Sequence, residues 1–224
     1  MKLGLLGILL AMVLGIPFGI VAATRQYSVL DRIVTVASLL FASMPSFFSA
    51  LLMMLLFALK LRWLPASGLA TWKGWIMPVL AVGLSPVAGI TRMTRSSMLD
   101  VTRQDYVRTA RAKGLSERAV IVKHELKNAI IPVLTVVGMQ IGSIMAGSVV
   151  MENIFSVPGM GSMISKAITD QDYNLVQGSV LVIALFICAV NLVVDIVYAF
   201  IDPRIKAQYK SSNKRWGKRK EAKK

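Results

Sequence analysis

Five apolar stretches of bilayer length, interrupted by one long basic segment, constrain this chain more than any other feature. They cover residues 3–23, 33–59, 75–93, 129–151 and 175–201. About twenty residues rising 1.5 Å each make ~30 Å, the thickness of a hydrocarbon core. Backbone crossing lipid has no water to bond to, so each stretch reads as a helix. Pro45 interrupts the second stretch, Pro78 and Pro86 the third, and Pro132 the start of the fourth. Such prolines are tolerated where neighbouring helices satisfy the freed carbonyls, which points to a kinked, packed bundle rather than a single anchor. The expected fold class is an all-α membrane protein, a polytopic helical bundle of about five transmembrane helices.

The formal net charge is +15 although 55% of the residues are hydrophobic. The cations are unevenly shared. Segments 24–32, 94–128 and the tail after Asp202 hold Arg25, Arg32, Arg95, Arg103, Arg108, Arg111, Lys113, Arg118, Lys123, Lys127 and the whole terminal cluster. The alternate segments hold only Lys60, Arg62, Lys73 and Lys166, with Lys2 at the terminus. The positive-inside rule places the first set in the cytoplasm and the amino terminus outside. A basic membrane chain of this kind meets anionic lipid. Nucleic acid is not an expected partner, because the cations are divided by apolar spans rather than gathered on one face. Residues 1–202 read as one transmembrane domain. Residues 203–224 read as a basic, disordered, lipid-attracted cytoplasmic tail. The apolar start could be a cleaved signal peptide, but it runs through Gly15, Pro17 and Gly19 to Ala23 with no cleavage signature.

The chemistry-bearing residues are few. Cys188 is the only cysteine, so no internal disulfide exists, and its place in a span suits packing. His124 is the only histidine, which excludes a histidine-rich metal site. Glu125 beside it points elsewhere on a helix, so the two make a poor catalytic dyad. No metal, cofactor or catalytic residue is expected. Met44, Met53, Met54, Met139 and Met145 suit packing rather than a soft-metal path. Gly138, Gly142, Ser143 and Gly147 suit a fourth span that packs closely against a neighbour, with or without sliding. Asn191 and Asp195 share a face of the last span, and an interhelical bond near its end is the favoured reading.

The basic segment, about 100–130, reads as two helices joined at a glycine. Thr102 and Asp105 form a helix start of the Thr-x-x-Asp type. Tyr106, Ala110 and Lys113 fall near one face, with Arg108 and Arg111 elsewhere around the axis. Gly114 suits a left-handed stop, Ser116 can cap the second helix, and Glu117 sits in its first turn. The small residues Ala110, Ala112 and Gly114 would admit a close partner, whose acidic groups the cations could pair with. The pattern alone equally fits an amphipathic helix lying on anionic lipid.

Three stretches, in order, carry a resemblance. Tyr106-Val-Arg-Thr-Ala-Arg-Ala-Lys-Gly114-Leu-Ser-Glu, followed by Lys123-His-Glu-Leu-Lys-Asn-Ala-Ile-Ile-Pro132, is similar to the Glu-Ala-Ala loop of binding-protein-dependent ABC importer permeases. It looks closest to the dipeptide/oligopeptide/nickel branch. Arg108-Thr109 stand where the general motif has Glu-Ala, whereas Ala110 and Gly114 match. Glu152-Asn-Ile-Phe-Ser-Val-Pro-Gly-Met-Gly161, with Asp172-Tyr173, resembles the family's external loop. Asn191 to Tyr198 with Asp202-Pro-Arg204 resembles its last helix and exit. Such permeases usually have a further span before the equivalent of Leu3.

The resemblance implies an ABC importer permease (MetI-like) fold in a bacterial inner membrane. It implies a homologous second permease subunit, two ABC ATPase subunits and an extracytoplasmic solute-binding protein as partners. Asp105, Tyr106, Arg108, Ala110, Lys113, Gly114, Ser116 and Glu117 would then form the ATPase-coupling surface. Glu152, Phe155, Pro158, Gly159, Gly161 and Asp172 would form the loop facing the binding protein, although the acidic residues there could be plain solvated charges. The chain has no Gly-x-x-x-x-Gly-Lys-Ser/Thr loop, so ATP hydrolysis is expected of its partners. Cargo could be dipeptide, oligopeptide, nickel or a metallophore. A channel or scaffold without ATP coupling is the rival reading, but it would not need the glycine-hinged insert.

Overall fold

A computed structural model describes residues 2–201, apart from the side chains of 143, 145–147, 195 and 197–201. Asp195, Ser143, Met145, Gly147 and the tail 203–224 therefore lie outside what is described. No strand occurs among the described residues. The first stretch is α1, Lys2–Thr24, and the third is α4, Trp72–Thr102. The fourth is α7, Lys127–Ile154, and the last is α9, Tyr173–Ile201.

The second stretch departs from expectation. It is two helices, α2 (Val29–Ser43) and α3 (Ser46–Met53), the latter continuing as a π-helical turn Met54–Lys60. They meet at 104° rather than forming one kinked span. Pro45 has no amide hydrogen, and its ring excludes the helical conformation from Met44, which is extended at φ −85°, ψ 121°. Pro45 is itself extended, and α3 starts one residue later. Pro78 and Pro86 do not break α4, which stays helical through both.

Among the described residues, three helices are long and apolar enough to cross a membrane: Lys2–Thr24, Trp72–Thr102 and Tyr173–Val194. The α2–α3 pair makes a fourth crossing if counted as one span. The 31 residues of α4 span ~46 Å, well beyond a ~30 Å core. Its last two turns remain packed, with Met98 buried against Ala23 of α1 and Ala129 of α7.

The closest helix pairing is α1 against α4. Leu3, Gly7, Ala11, Gly15 and Gly19 repeat every four residues and are buried on one stripe of α1. A Cβ at Gly7 would lie 2.9 Å from Val82 Cγ1, and one at Gly15 2.9 Å from Ile90 Cγ2. Between apolar helices in lipid, cohesion comes from such contact rather than from released water. Glycines were expected to serve close packing on α7. There, Gly138 does meet Val194 of α9, but nothing lies near Gly142, and the main glycine seam is on α1.

Candidate functional site: the polar insert and the far-end loop

The insert grows directly out of α4. Thr102 is the last residue of that helix, and its hydroxyl donates back to the Met98 carbonyl at 2.8 Å. It therefore does not cap the next helix, as the Thr-x-x-Asp spacing suggested. Helix α5, Asp105–Ala112, is preceded by Gln104, which lends it no side-chain cap. Asp105 sits in its first turn, where a carboxylate favours the helix dipole.

The stop at Gly114 is as expected. Gly114 has φ +77°, a left-handed conformation that glycine adopts without penalty. Its amide donates to the Arg111 carbonyl at 2.9 Å, and the Leu115 amide reaches the Ala110 carbonyl at 3.4 Å. These two bonds make a Schellman stop. Ser116 then caps α6, Glu117–Ala119, accepting the Ala119 amide at 3.4 Å. A π-helical turn, Val120–Leu126, leads into α7.

Two features hold the hairpin. Val107, Ala110 and Val120 form a small core with Val101 against it. Ala110 is thus inside the hairpin, 4% exposed, and offers no surface to a partner. The inward face of α5 is Val107 and Ala110, which leaves Tyr106 and Lys113 outside. The second feature is Arg111. Its guanidinium donates to Glu117 at 2.9 and 3.3 Å and to the fully buried Glu125 at 2.9 Å. The Glu117 carboxylate raises the Arg111 pKa further, and the guanidinium holds Glu117 below its ordinary carboxylate range. Sequence reasoning missed Glu125 as the anchor, because its partner lies fourteen residues earlier.

The outer face carries Asp105, Tyr106, Arg108, Thr109, Ala112, Lys113, Leu115, Ser116 and Arg118, all exposed. Tyr106 is 43% and Leu115 42% exposed, an apolar pair set among cations. The base of this platform is tied to the bundle. Arg95 of α4 makes a two-pronged pair with Asp31 of α2 at 2.6 and 2.8 Å. Asp31 also accepts the Tyr27 amide and is buried. Ser97 donates to the Ala129 carbonyl of α7 at 2.8 Å. The Ser28-x-x-Asp31 spacing was a helix-start signal that could have drawn attention to Asp31, and Ser28 does cap α2.

At the opposite end of α7, the loop leading to α8 (Met160–Thr169) is built inward. Glu152 is 4% exposed and accepts the Gly161 and Ser162 amides at 2.7 and 3.2 Å. It satisfies the open start of α8, where the dipole favours negative charge. Phe155 and Gly161 are buried as well. A Cβ on Gly161 would lie 2.5 Å from Val149 Cα, and one on Gly159 would strike the Glu152 carboxylate. Glu152, Phe155 and Gly161 are therefore buried within the loop. Pro158 and Asp172 are exposed, and Asp172 accepts the Leu175 amide at the start of α9.

Comparisons with known proteins agree with this architecture. Residues 15–207 match the family of binding-protein-dependent transport system inner membrane components. The dipeptide transport system permease protein DppB of Alkalihalophilus pseudofirmus is 42% identical over 92% of this chain and 70% of its own length. The oligopeptide transport system permease protein AppB of Bacillus subtilis is 38% identical over 90% of this chain and 67% of its own. A chain of the inward-facing MetNI methionine ABC transporter shares the fold, with a TM-score of 0.73 at 15% identity over 90% of this chain and 92% of that one. The chain belongs to the binding-protein-dependent transport system inner membrane component family, and is a multi-pass transport component rather than an enzyme.

Proposed function

We propose that this chain is one of two homologous permease subunits of a peptide importer, with its insert docked on a cytoplasmic ATPase pair. Peptide cargo is supported by the dipeptide and oligopeptide permeases that it resembles. A solute-binding protein delivers cargo at the far end, where Pro158 and Asp172 are the exposed members of the loop. The basic insert and tail lie in the cytoplasm, following the positive-inside rule.

The observation that carries the docking role is the pairing of rigidity with exposure. Tyr106 and Leu115 are large apolar side chains left open on a hairpin locked by Arg111 and Glu125. A partner that seats on them pushes a stiff body joined to α4 through the two-residue turn of Arg103 and Gln104 and running continuously into α7. Coupling between distant sites needs such an element with two arrangements, each favoured by a different ligand state.

The test is Leu115→Asp combined with Tyr106→Ser in the assembled importer. The variant is expected to reach the membrane at normal levels, to lose ATPase subunits on purification and to lose peptide uptake. Unchanged uptake with ATPases still bound would overturn the docking role.

A further inference from the structure

The right-angle break between α2 and α3 opens a cavity of about 340 Å³. That is many times the share of one water and falls in the range of small-molecule sites. Its wall carries Ser43 and Ser46 from either side of Pro45, Ser85 from α4 and Gln140 from α7. Met44 and Pro86 supply part of the apolar remainder. Among the described residues, no ionisable side chain lines it.

The break itself adds polar backbone. A helix end leaves carbonyls without intrahelical partners, and a helix start leaves amides likewise. Here the end of α2 and the start of α3 meet at 104° across two extended residues. Irregular backbone at membrane depth is tolerated where it lines a cavity, and interrupted helices are where transporters place their cargo contacts. Among the described residues, the hydroxyls of Ser43, Ser46 and Ser85 and the amide of Gln140 make no hydrogen bond within the chain. Room for that amide is kept by Gly89, where a Cβ would lie 2.9 Å from Gln140 Nε2.

We infer that this cavity is a contact site for the main chain of a passing peptide. The inference rests on the peptide reading proposed above. Hydroxyls and a carboxamide both donate and accept, as a peptide group does. A wall with no charge grips the repeating CO–NH unit and leaves side-chain charge unread. Neutral bonds are also individually weak, so cargo is held without being trapped.

The complete importer in proteoliposomes, with its binding protein and ATP, tests this with three probes: trialanine, Ala-Glu-Ala and Ala-Lys-Ala. Q140L with S85A should cut uptake of all three about tenfold, the effect of losing one or two neutral hydrogen bonds, while ATPase stimulation by the binding protein persists. Q140E should slow Ala-Glu-Ala selectively, and Q140K should slow Ala-Lys-Ala. Unchanged uptake in all these variants would overturn the site. Where a Gln140 variant fails to assemble, Ser85→Cys in a Cys188→Ala background serves instead, so that the new thiol is the only one in this chain. Maleimide labelling of that cysteine should slow when trialanine is transported, and labelling indifferent to trialanine would overturn the site. A wild-type importer that moves none of the three peptides would refute the peptide reading, whereas moving them with unaltered variants refutes only the cavity.

Discussion

The insert and the far-end loop are both polar segments joined to α7, and they use their motif residues in opposite senses. In the insert, Arg111 and the buried Glu125 brace the interior, Glu117 pairs with Arg111 from the surface, and most of the motif faces outward. In the far-end loop, Glu152, Phe155 and Gly161 are buried, and the motif is largely scaffolding for the start of α8. A charged residue in a loop motif is thus no guide to a docking surface until its partner is known. The far-end loop should be sensitive in folding, and the insert in coupling.

Glu152→Ala is the strongest way to break that contrast. It strips one buried and one part-buried amide of their acceptor and should destabilise the protein by about 3 kcal/mol, read by thermal unfolding in detergent. If Glu152→Ala unfolds normally but loses the binding protein, the carboxylate is a contact after all. Glu125→Ala removes the buried partner of Arg111 and should cost about 2 kcal/mol, seen as faster proteolysis within the insert while the bundle stays intact. Gly114→Ala places a Cβ in the left-handed region and should cost about 1 kcal/mol. Its uptake defect should exceed its stability defect, because it tilts the hairpin. The smallest effect concerns Glu117, which is solvent-exposed. Its folded pKa is depressed, so its contribution is present above the ordinary unfolded carboxylate value and is lost as pH falls through the folded one. Hydrogen exchange of the α5 amides, corrected for intrinsic rate, should accelerate over that range in wild type, and Glu117→Gln should abolish the extra acceleration.

Much of the fold was legible because lipid leaves few options. Apolar length and proline position located α1, α4, α7 and α9 closely, and the Gly114 stop and Ser116 cap are local geometries that a short sequence specifies. The face of α5 that turns inward was not legible, since Val107 and Ala110 are buried only because Val120 lies opposite. Nor was the 104° turn at Pro45, because Pro78 and Pro86 interrupt a neighbouring span and leave it helical. A proline removes one bond, and the surrounding packing decides whether the chain bends or continues.

The sequence by itself determined that this chain spans membranes with helices, where its cations gather, and to which transport family it belongs. Those follow from hydropathy, charge and contiguous motifs, which need no knowledge of neighbours. Only the tertiary structure decided that Glu152 and Glu125 are internal braces, that α1 rather than α7 carries the main glycine seam, and that Gln140 lines one cavity with three serines at a broken helix. Each of those depends on residues far apart in the chain, brought together by packing that no local pattern encodes.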